Sequence, residues 1–225
     1  MYENLKKMRE SRTAPVDTVG CERLADEDAS PKLYRLQVLF ALMLSSQTKD
    51  QVTAEAMKRL KENKCDIDKI LTMPVDSLEK LLIPVGFYKK KAVYMKKVCQ
   101  ILRDKYDDDI PSTMEELCDL PGVGPKMALL TLSCAWKRVE GIAVDTHVHR
   151  IANRWHWTRK PTKTPEETRR ELQSWFPREE WPHINWLLVG FGQEICLPVK
   201  PKCQQCLNKE ICPSSNCKSK PDQTN

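Results

Sequence analysis

The chain has 225 residues, of which 40% are hydrophobic and 30% are charged, and its formal net charge is +6. This apolar content is enough for a sizeable globular core, in one domain or in two small lobes. The longest apolar run, residues 38–44, is far too short to cross a bilayer, and residues 1–7 have no apolar signal-peptide core. We therefore expect neither a membrane protein nor a secreted one.

The N-terminal part of the chain changes from a polar arm to an apolar helix. Residues 1–30 are polar and rich in charge, which predicts an extended arm with at most a short helix. Pro31 suits the first turn of a helix, and the apolar residues between 33 and 43 predict that this helix is buried on nearly all sides. Such a helix must lie at the centre of its lobe.

Four further helices are predicted up to residue 106. Thr48 with Gln51 has the spacing of a capping box and predicts the start of a helix. Residues 66–71 and 76–82 predict two short helices, and 89–106 a long one. Four apolar residues of this long helix are expected to face inward: Val93, Val98, Ile101 and Leu102.

Helix signals continue through the C-terminal half. Ser112 with Glu115 is a second capping box, and the helix it opens ends before a break at 121–125, after which residues 126–135 resume a helix. The segment 164–167, T-P-E-E, combines an N-cap, a proline in the first turn and a capping glutamate. Because no segment shows the alternation of a strand, the predicted fold class is all-α.

Basic residues are concentrated in three segments that contain no acid: 80–103, 146–163 and 195–209. Acidic residues lie elsewhere, so the pattern indicates a polarised surface that could meet phosphate groups. The alternative is that each segment is only the solvated face of a helix.

The break between the two helices reads L-P-G-V-G-P-K at residues 120–126. Gly122 and Gly124 allow a tight turn and the close approach of a partner, and the amides that open the second helix carry a partial positive charge. This hairpin is suited to holding a phosphate, although an ordinary turn between helices would need similar residues.

Lys126 and Asp145 each allow a structural and a catalytic interpretation. Lys126 lies in the first turn of a predicted helix, where it could contact a phosphate or, in its neutral form, act as a nucleophile. Asp145 ends an apolar run and could cap a helix, activate an amine or water, or stabilise positive charge on a sugar. His147 could contact a phosphate, orient Asp145, or be a satisfied structural histidine.

The ten cysteines fall into two groups. Four have the spacing C-x6-C-x2-C-x5-C and predict a metal site, which on spacing alone could hold Zn²⁺ or a [4Fe-4S] cluster: Cys196, Cys203, Cys206 and Cys212. Cys217 lies outside this pattern. Cys99, Cys118 and Cys134 have apolar neighbours and are expected to be buried thiols.

The hairpin, the segment around Asp145 and the cysteine motif follow one another along the chain. L-P-G-V-G-P-K at 120–126 is followed by V-D-T-H-V-H-R at 144–150 and by the cysteine motif at 196–212. This order and spacing resemble those of endonuclease III and its eukaryotic homologues, and the likeness extends over about residues 31–212. These enzymes are helix-hairpin-helix DNA glycosylases with abasic-site lyase activity.

The resemblance implies roles for the motif residues. The lysine that matches Lys126 is the Schiff-base nucleophile of the family, and the aspartate that matches Asp145 is its partner. The four cysteines are then implied to hold a [4Fe-4S] cluster with a structural role, and Lys200 and Lys202, in the loop after the first ligand, to contact DNA.

Two loops resemble the wedge segments with which the family extrudes a nucleotide from a duplex. They span 45–50, S-S-Q-T-K-D, and 85–88, V-G-F-Y. Gln47 and Phe87 are the candidate wedge residues. The alternative is that Gln47 is an ordinary loop residue and Phe87 part of the core.

The expected protein is therefore a bifunctional DNA N-glycosylase and abasic-site lyase that removes oxidised pyrimidines in base-excision repair. Two helical lobes are expected: a six-helix lobe at 28–139, and a second lobe formed by 1–27 and 140–225 that contains the cluster loop, 196–212. The alternatives are a non-catalytic, cluster-stabilised DNA-binding module and a monofunctional glycosylase.

Partners and compartment follow from the same resemblance. Damaged double-stranded DNA is the expected ligand of a monomeric protein, with a downstream abasic-site endonuclease as a further partner. The nucleus is the expected compartment, with the mitochondrion as a second one.

Overall fold

The computed structural model describes residues 1–217, which form α-helices, short 3-10 turns and loops but no strand. The predicted all-α class is confirmed. The chain divides into two compact units, one comprising Met1–Asp17 with Val144–Asn225 and the other comprising Thr18–Ala143. None of the described helices is both long and apolar enough to cross a membrane.

The unit Thr18–Ala143 contains seven α-helices in its described residues, which correspond to the seven helix signals between residues 31 and 135 rather than to the expected six-helix lobe. They are α3 (Pro31–Ser45), α4 (Asp50–Glu62), α5 (Ile67–Thr72), α6 (Val75–Leu82), α7 (Tyr88–Lys105), α8 (Met114–Asp119) and α9 (Pro125–Ala135).

Helix α3 is the centre of this unit, as its sequence predicts. It begins after Ser30, whose hydroxyl accepts a hydrogen bond from the amide of Leu33, and Pro31 occupies the first turn. Every residue from 36 to 44 is buried, and the helix packs against α4, α7 and α9. Each fully buried aliphatic side chain contributes about 1.5–3 kcal/mol of stability, so this helix anchors the unit.

The segment before α3 is more ordered than the predicted arm. Two helices, α1 (Tyr2–Met8) and α2 (Pro15–Val19), precede a 3-10 turn at Cys21–Arg23 that packs against α3 and α4. Leu24 and Ala25 are buried in the same core. These contacts are why the compact unit begins at Thr18 rather than at the predicted residue 28.

Two predicted capping boxes are wrong. Helix α4 begins at Asp50 after Lys49, and the Thr48 hydroxyl instead accepts a hydrogen bond from the amide of Gly86 at 3.1 Å. Helix α8 is capped one residue later than predicted, by Thr113, whose hydroxyl accepts from the amide of Glu116 and donates to its carboxylate. Because Ser112 and Thr113 both carry a hydroxyl group, the sequence alone could not show which of them caps α8.

The long helix predicted at 89–106 is α7, shifted by one residue at each end. Val98 and Leu102 are buried as predicted and Ile101 is partly buried, but Val93 is 40% exposed, so its predicted inward position is wrong. The inward face of α7 contains Lys91, which is only 6% exposed, as well as apolar residues. A simple apolar periodicity could not identify this face.

The unit Met1–Asp17 with Val144–Asn225 is built on α10 (Thr146–Arg154), α11 (Pro165–Gln173) and α12 (Trp181–Glu194). Helix α10 packs against α11 and α12, and α1 packs against α12. The predicted start of α11 is confirmed, since Pro165 is its first residue and the Thr164 hydroxyl accepts from the amide of Glu167.

Arg9 attaches the N-terminal segment to α12. Its side chain is fully buried, its guanidinium pairs with Asp17 at 2.6 Å and with Glu194 at 3.2 Å, and it lies against the backbone of Gly190. A β-carbon at Gly190 would collide with this guanidinium. Because Glu194 is the last residue of α12, the ion pair holds the segment close to the start of the cysteine motif.

Candidate functional site

The predicted hairpin joins α8 and α9 in the unit Thr18–Ala143. Gly122 has φ of +84°, and a β-carbon there would lie 2.5 Å from the ring of Tyr94, so both the turn and the packing require glycine. Apart from its chain neighbours, no residue in 1–217 has an atom within 4 Å of the β-carbon position of Gly124, which is the N-cap of α9. The backbone at this helix start is therefore accessible to a ligand.

Lys126 is the second residue of α9 and is partly buried. Pro125 occupies the first position of the helix, and its first turn contains no acidic residue that would offset the positive end of the dipole. An anion or a developing negative charge is favoured at such a helix start. The structure thus places Lys126 beside an accessible, electropositive turn.

The two predicted wedge loops contact each other in this same unit. The amide of Gly86 donates to the Thr48 hydroxyl, and a β-carbon at Gly86 would clash with the carbonyl oxygen of Gln47. Gln47 (φ 51°) and Phe87 (φ 56°) both have left-handed backbone conformations, which are rare for residues other than glycine. Gln47 is exposed and Phe87 is 65% exposed, so Phe87 is not a core residue.

Asp145 caps α10 in the other unit. Its carboxylate accepts a hydrogen bond from the amide of Val148 at 2.8 Å, which confirms the predicted N-cap, and the residue is partly buried. His147, in the first turn of α10, lies within 3.1 Å of the Arg150 guanidinium and packs against α12 at Gly192. These contacts give His147 a structural role; its contact with DNA stays a prediction.

The four cysteines of the C-terminal motif line the same small cavity, which opens to solvent. Its walls also include the rings of Trp155 and Phe191. Burial raises the pKa of the Cys206 thiol, and the charges of Cys196, Cys212 and Cys203 raise it further, as expected for four neighbouring sulfur atoms. Within residues 1–217, no group of three or more His, Cys, Asp or Glu side chains is arranged to hold a single metal ion.

Hydrogen bonds reach two of these sulfur atoms, one from Arg154 outside the motif and one from Asn208 within it. Arg154 donates to the sulfur of Cys196 at 3.3 Å and to the carbonyl of Leu197 at 2.7 Å. The backbone amide of Asn208 donates to the sulfur of Cys206 at 3.4 Å, and the buried Asn208 side chain is bonded to the N-terminal helix through Asn4. Donors of this kind stabilise thiolate ligands.

Lys200 and Lys202 lie in the loop between the first two cysteines and are both exposed. Lys200 has a left-handed backbone with φ of 51°, and its neighbour Val199 is 75% exposed. The two ends of the loop are joined by a hydrogen bond from the Lys202 amide to the carbonyl of Ile195 at 2.9 Å. It presents two positive charges to solvent on a fixed backbone.

Several basic residues in the predicted phosphate-facing segments instead bind protein groups, and for them that prediction is wrong. Lys91 and Lys96 donate to backbone carbonyls, and Arg103 pairs with Asp68 and Asp108. Arg150 and Arg154 bind carbonyls around Cys196. Sequence reasoning missed these roles because a basic side chain that satisfies carbonyls leaves no local pattern.

Comparison with known proteins gives a consistent family. The profile described as "HhH-GPD superfamily base excision DNA repair protein" matches residues 40–178. The "Endonuclease III-like protein 1" of Bos taurus is 56% identical over 213 residues, which cover 95% of this chain and 70% of that protein.

Solved structures agree with the sequence comparison. The structure of a non-covalent endonuclease III–DNA complex superposes with a TM-score of 0.81 at 31% identity, covering 94% of this chain and 92% of that one. A trapped endonuclease III–DNA covalent intermediate gives a TM-score of 0.79 at 30% identity, covering 95% and 94% of the two chains.

Proposed function

Because this chain belongs to the endonuclease III family of the HhH-GPD superfamily of base excision DNA repair proteins, we propose that it is a bifunctional enzyme. Membership makes it a DNA glycosylase. The proposal adds that it removes oxidised pyrimidines and cleaves the resulting abasic site. The observation that carries it is the hairpin, which places Lys126 in the first turn of α9 beside the accessible backbone of Gly124.

Lys126 is the proposed nucleophile. Its Nζ lone pair forms a bond to C1′ of the damaged nucleotide, and the glycosidic bond breaks with its electron pair leaving on the base, which takes up a proton. Opening of the sugar ring then gives a Schiff base. The relative that forms a trapped covalent intermediate with DNA supports this chemistry.

Asp145 is proposed to assist proton transfer and to stabilise positive charge on the sugar. Strand cleavage follows when a proton is lost from C2′ and the bond from C3′ to its phosphate oxygen breaks, which is a β-elimination. A carboxylate fixed at a helix cap keeps its position while charge develops, because its hydrogen bond to the amide of Val148 orients it.

Access to C1′ requires that the nucleotide leave the duplex. The hole that it leaves has to be filled, at a cost of a few kcal/mol for unstacking. Gln47 and Phe87 are the proposed wedge residues, since both are exposed on loops that contact each other.

The test is an assay of a duplex that contains one thymine glycol. We expect base release, strand cleavage 3′ to the lesion, and a covalent adduct when borohydride is present, because borohydride reduces a Schiff base to a stable amine. Base release without cleavage or adduct would identify a monofunctional glycosylase. Binding with neither reaction would identify a non-catalytic module, and either result contradicts the proposal.

The cysteine cavity is proposed to hold a [4Fe-4S] cluster. Its fit rests on four thiols around one cavity, two of them with hydrogen-bond donors from Arg154 and Asn208. A cluster bound there would cross-link the loop that carries Lys200 and Lys202 to the end of α12. Its proposed contribution is structural.

Protein purified without oxygen is expected to contain about four iron atoms and about four labile sulfides per chain. Cys203→Ala is expected to lower both and to reduce solubility, because a ligand is lost. Cys217→Ala is the matched control, since Cys217 is not among the residues that line the cavity. Metal analysis that finds stoichiometric zinc and no iron, in cells grown with ample iron, would refute the cluster.

DNA binding is expected to weaken with salt in proportion to the number of phosphate contacts. Lys200→Ala and Lys202→Ala should each flatten the slope of log K against log salt by about one ion, without changing the preference for damage. Lys32→Ala is the control, because Lys32 pairs with Asp107 at 2.8 Å. If both loop variants keep the full slope, the proposed DNA-contacting surface is misplaced.

A further inference from the structure

Lys91 is a buried lysine that no step of the proposed reaction uses. Its Nζ donates to the carbonyl oxygens of Leu44 at 2.7 Å and Ser46 at 2.6 Å, and to the Thr48 hydroxyl at 3.2 Å. We propose that Lys91 is a positioning residue that holds the two loops carrying Gln47 and Phe87 in the shape needed to extrude a nucleotide. This inference rests on the proposed function.

The contacts of Lys91 fix where α3 ends and the first loop begins. Leu44 is in the last turn of α3, and Ser46 is its C-cap. The carbonyls at a helix C-terminus lack partners within the helix and carry partial negative charge, so an ammonium group is favoured there. Gln47 follows directly after this end of α3, and its left-handed backbone conformation sets the direction of the loop.

Thr48 connects Lys91 to the second loop by hydrogen bonds. Its hydroxyl accepts from both the Lys91 ammonium and the amide of Gly86, while the space for a β-carbon at Gly86 is filled by the carbonyl of Gln47. Phe87 follows Gly86 and is the N-cap of α7, and its carbonyl accepts from the amide of Lys91. Lys91 therefore contacts the first loop through its side chain and the second through its backbone.

Burial opposes the charged form of Lys91, while the three hydrogen bonds favour it. Burial lowers the pKa of Lys91 to about 8, and all three oxygens that receive its hydrogen bonds belong to neutral groups. A neutral side chain of similar length would avoid this desolvation. We therefore attribute the positive charge of Lys91 to function. Its ammonium group holds the oxygens of Leu44, Ser46 and Thr48 together, and the two loops need this arrangement to act.

Lys96 provides a matched comparison on the same helix. Five residues further along α7, its Nζ donates to three carbonyls, those of Ile70 at 2.6 Å, Leu71 at 2.9 Å and Met73 at 2.6 Å. These oxygens lie at the end of α5, and none belongs to the loops of Gln47 or Phe87. A lysine with the same chemistry thus stabilises a different helix end.

The test compares Lys91→Met with Lys96→Met. A duplex with 2-aminopurine beside a thymine glycol reports extrusion, because its fluorescence rises when its neighbour leaves the stack. We expect Lys91→Met to lower the single-turnover rate of base release and the fluorescence change by about tenfold, and Lys96→Met to change either by less than about twofold. Cleavage of a preformed abasic site, where no base is paired, should fall less in Lys91→Met than base release does.

A second pair of variants keeps the test valid if Lys91→Met does not fold. Thr48→Val removes the hydroxyl that joins the loops, and Thr48→Ser retains it, so only Thr48→Val should lose the fluorescence change. Equal behaviour of Lys91→Met and Lys96→Met, or of the two Thr48 variants, would overturn the role of Lys91. If the wild-type protein cuts no abasic site, the proposed function itself fails.

Discussion

Lys126→Gln is expected to abolish the borohydride adduct and strand cleavage on the thymine glycol duplex while leaving DNA binding measurable. Glutamine has no amine that can attack C1′, so the Schiff base cannot form. The hairpin remains, because the turn depends on Gly122 and the cap of α9 on Gly124. Adduct formation is read by gel electrophoresis and binding by fluorescence anisotropy on the same preparation.

Lys90→Gln is the matched control. Lys90 is exposed and lies 5.4 Å from the ring centre of Tyr94, the side chain that packs against Gly122, so this variant removes the same charge close to the hairpin. It is expected to form the adduct. An adduct with Lys126→Gln would mean that another amine is the nucleophile, and the proposed mechanism would be wrong.

The fold was predictable where local signals and packing agree. Pro31 starts α3 as expected, and the apolar run behind it is buried because α4, α7 and α9 pack against this helix. Thr48 shows why other local signals failed. Its hydroxyl could cap α4, but in the fold it accepts from Gly86, 38 residues away, and a local motif cannot reveal that competition.

The candidate site was predictable to a similar degree. The hairpin and the cysteines could be found because each is a continuous motif. The contact of Arg154 with the Cys196 sulfur could not, since it depends on how α10 packs beside the loop, and neither could the hydrogen bond of the Asn208 side chain to Asn4, 204 residues away. Lys91 was placed among surface charges because a buried lysine and an exposed one look alike in sequence.

Asp145→Asn is expected to lower the single-turnover rate by about 100-fold or more, the range associated with loss of a proton-transfer group. It should hardly change stability. Asparagine caps a helix as well as aspartate does, so the hydrogen bond from the amide of Val148 is retained. Only the negative charge is lost, and with it the ability to accept a proton and to stabilise the cationic sugar.

Asp145→Ala separates the two roles of this carboxylate. It removes the cap as well as the charge and should lower the free energy of unfolding by about 1 kcal/mol, measured by urea denaturation, with a loss of rate like that of Asp145→Asn. Asp145→Ser should restore the cap but not the rate. If Asp145→Asn and Asp145→Ser both react as fast as the wild type, the residue is only a helix cap, and the proton at C2′ must be removed by another group.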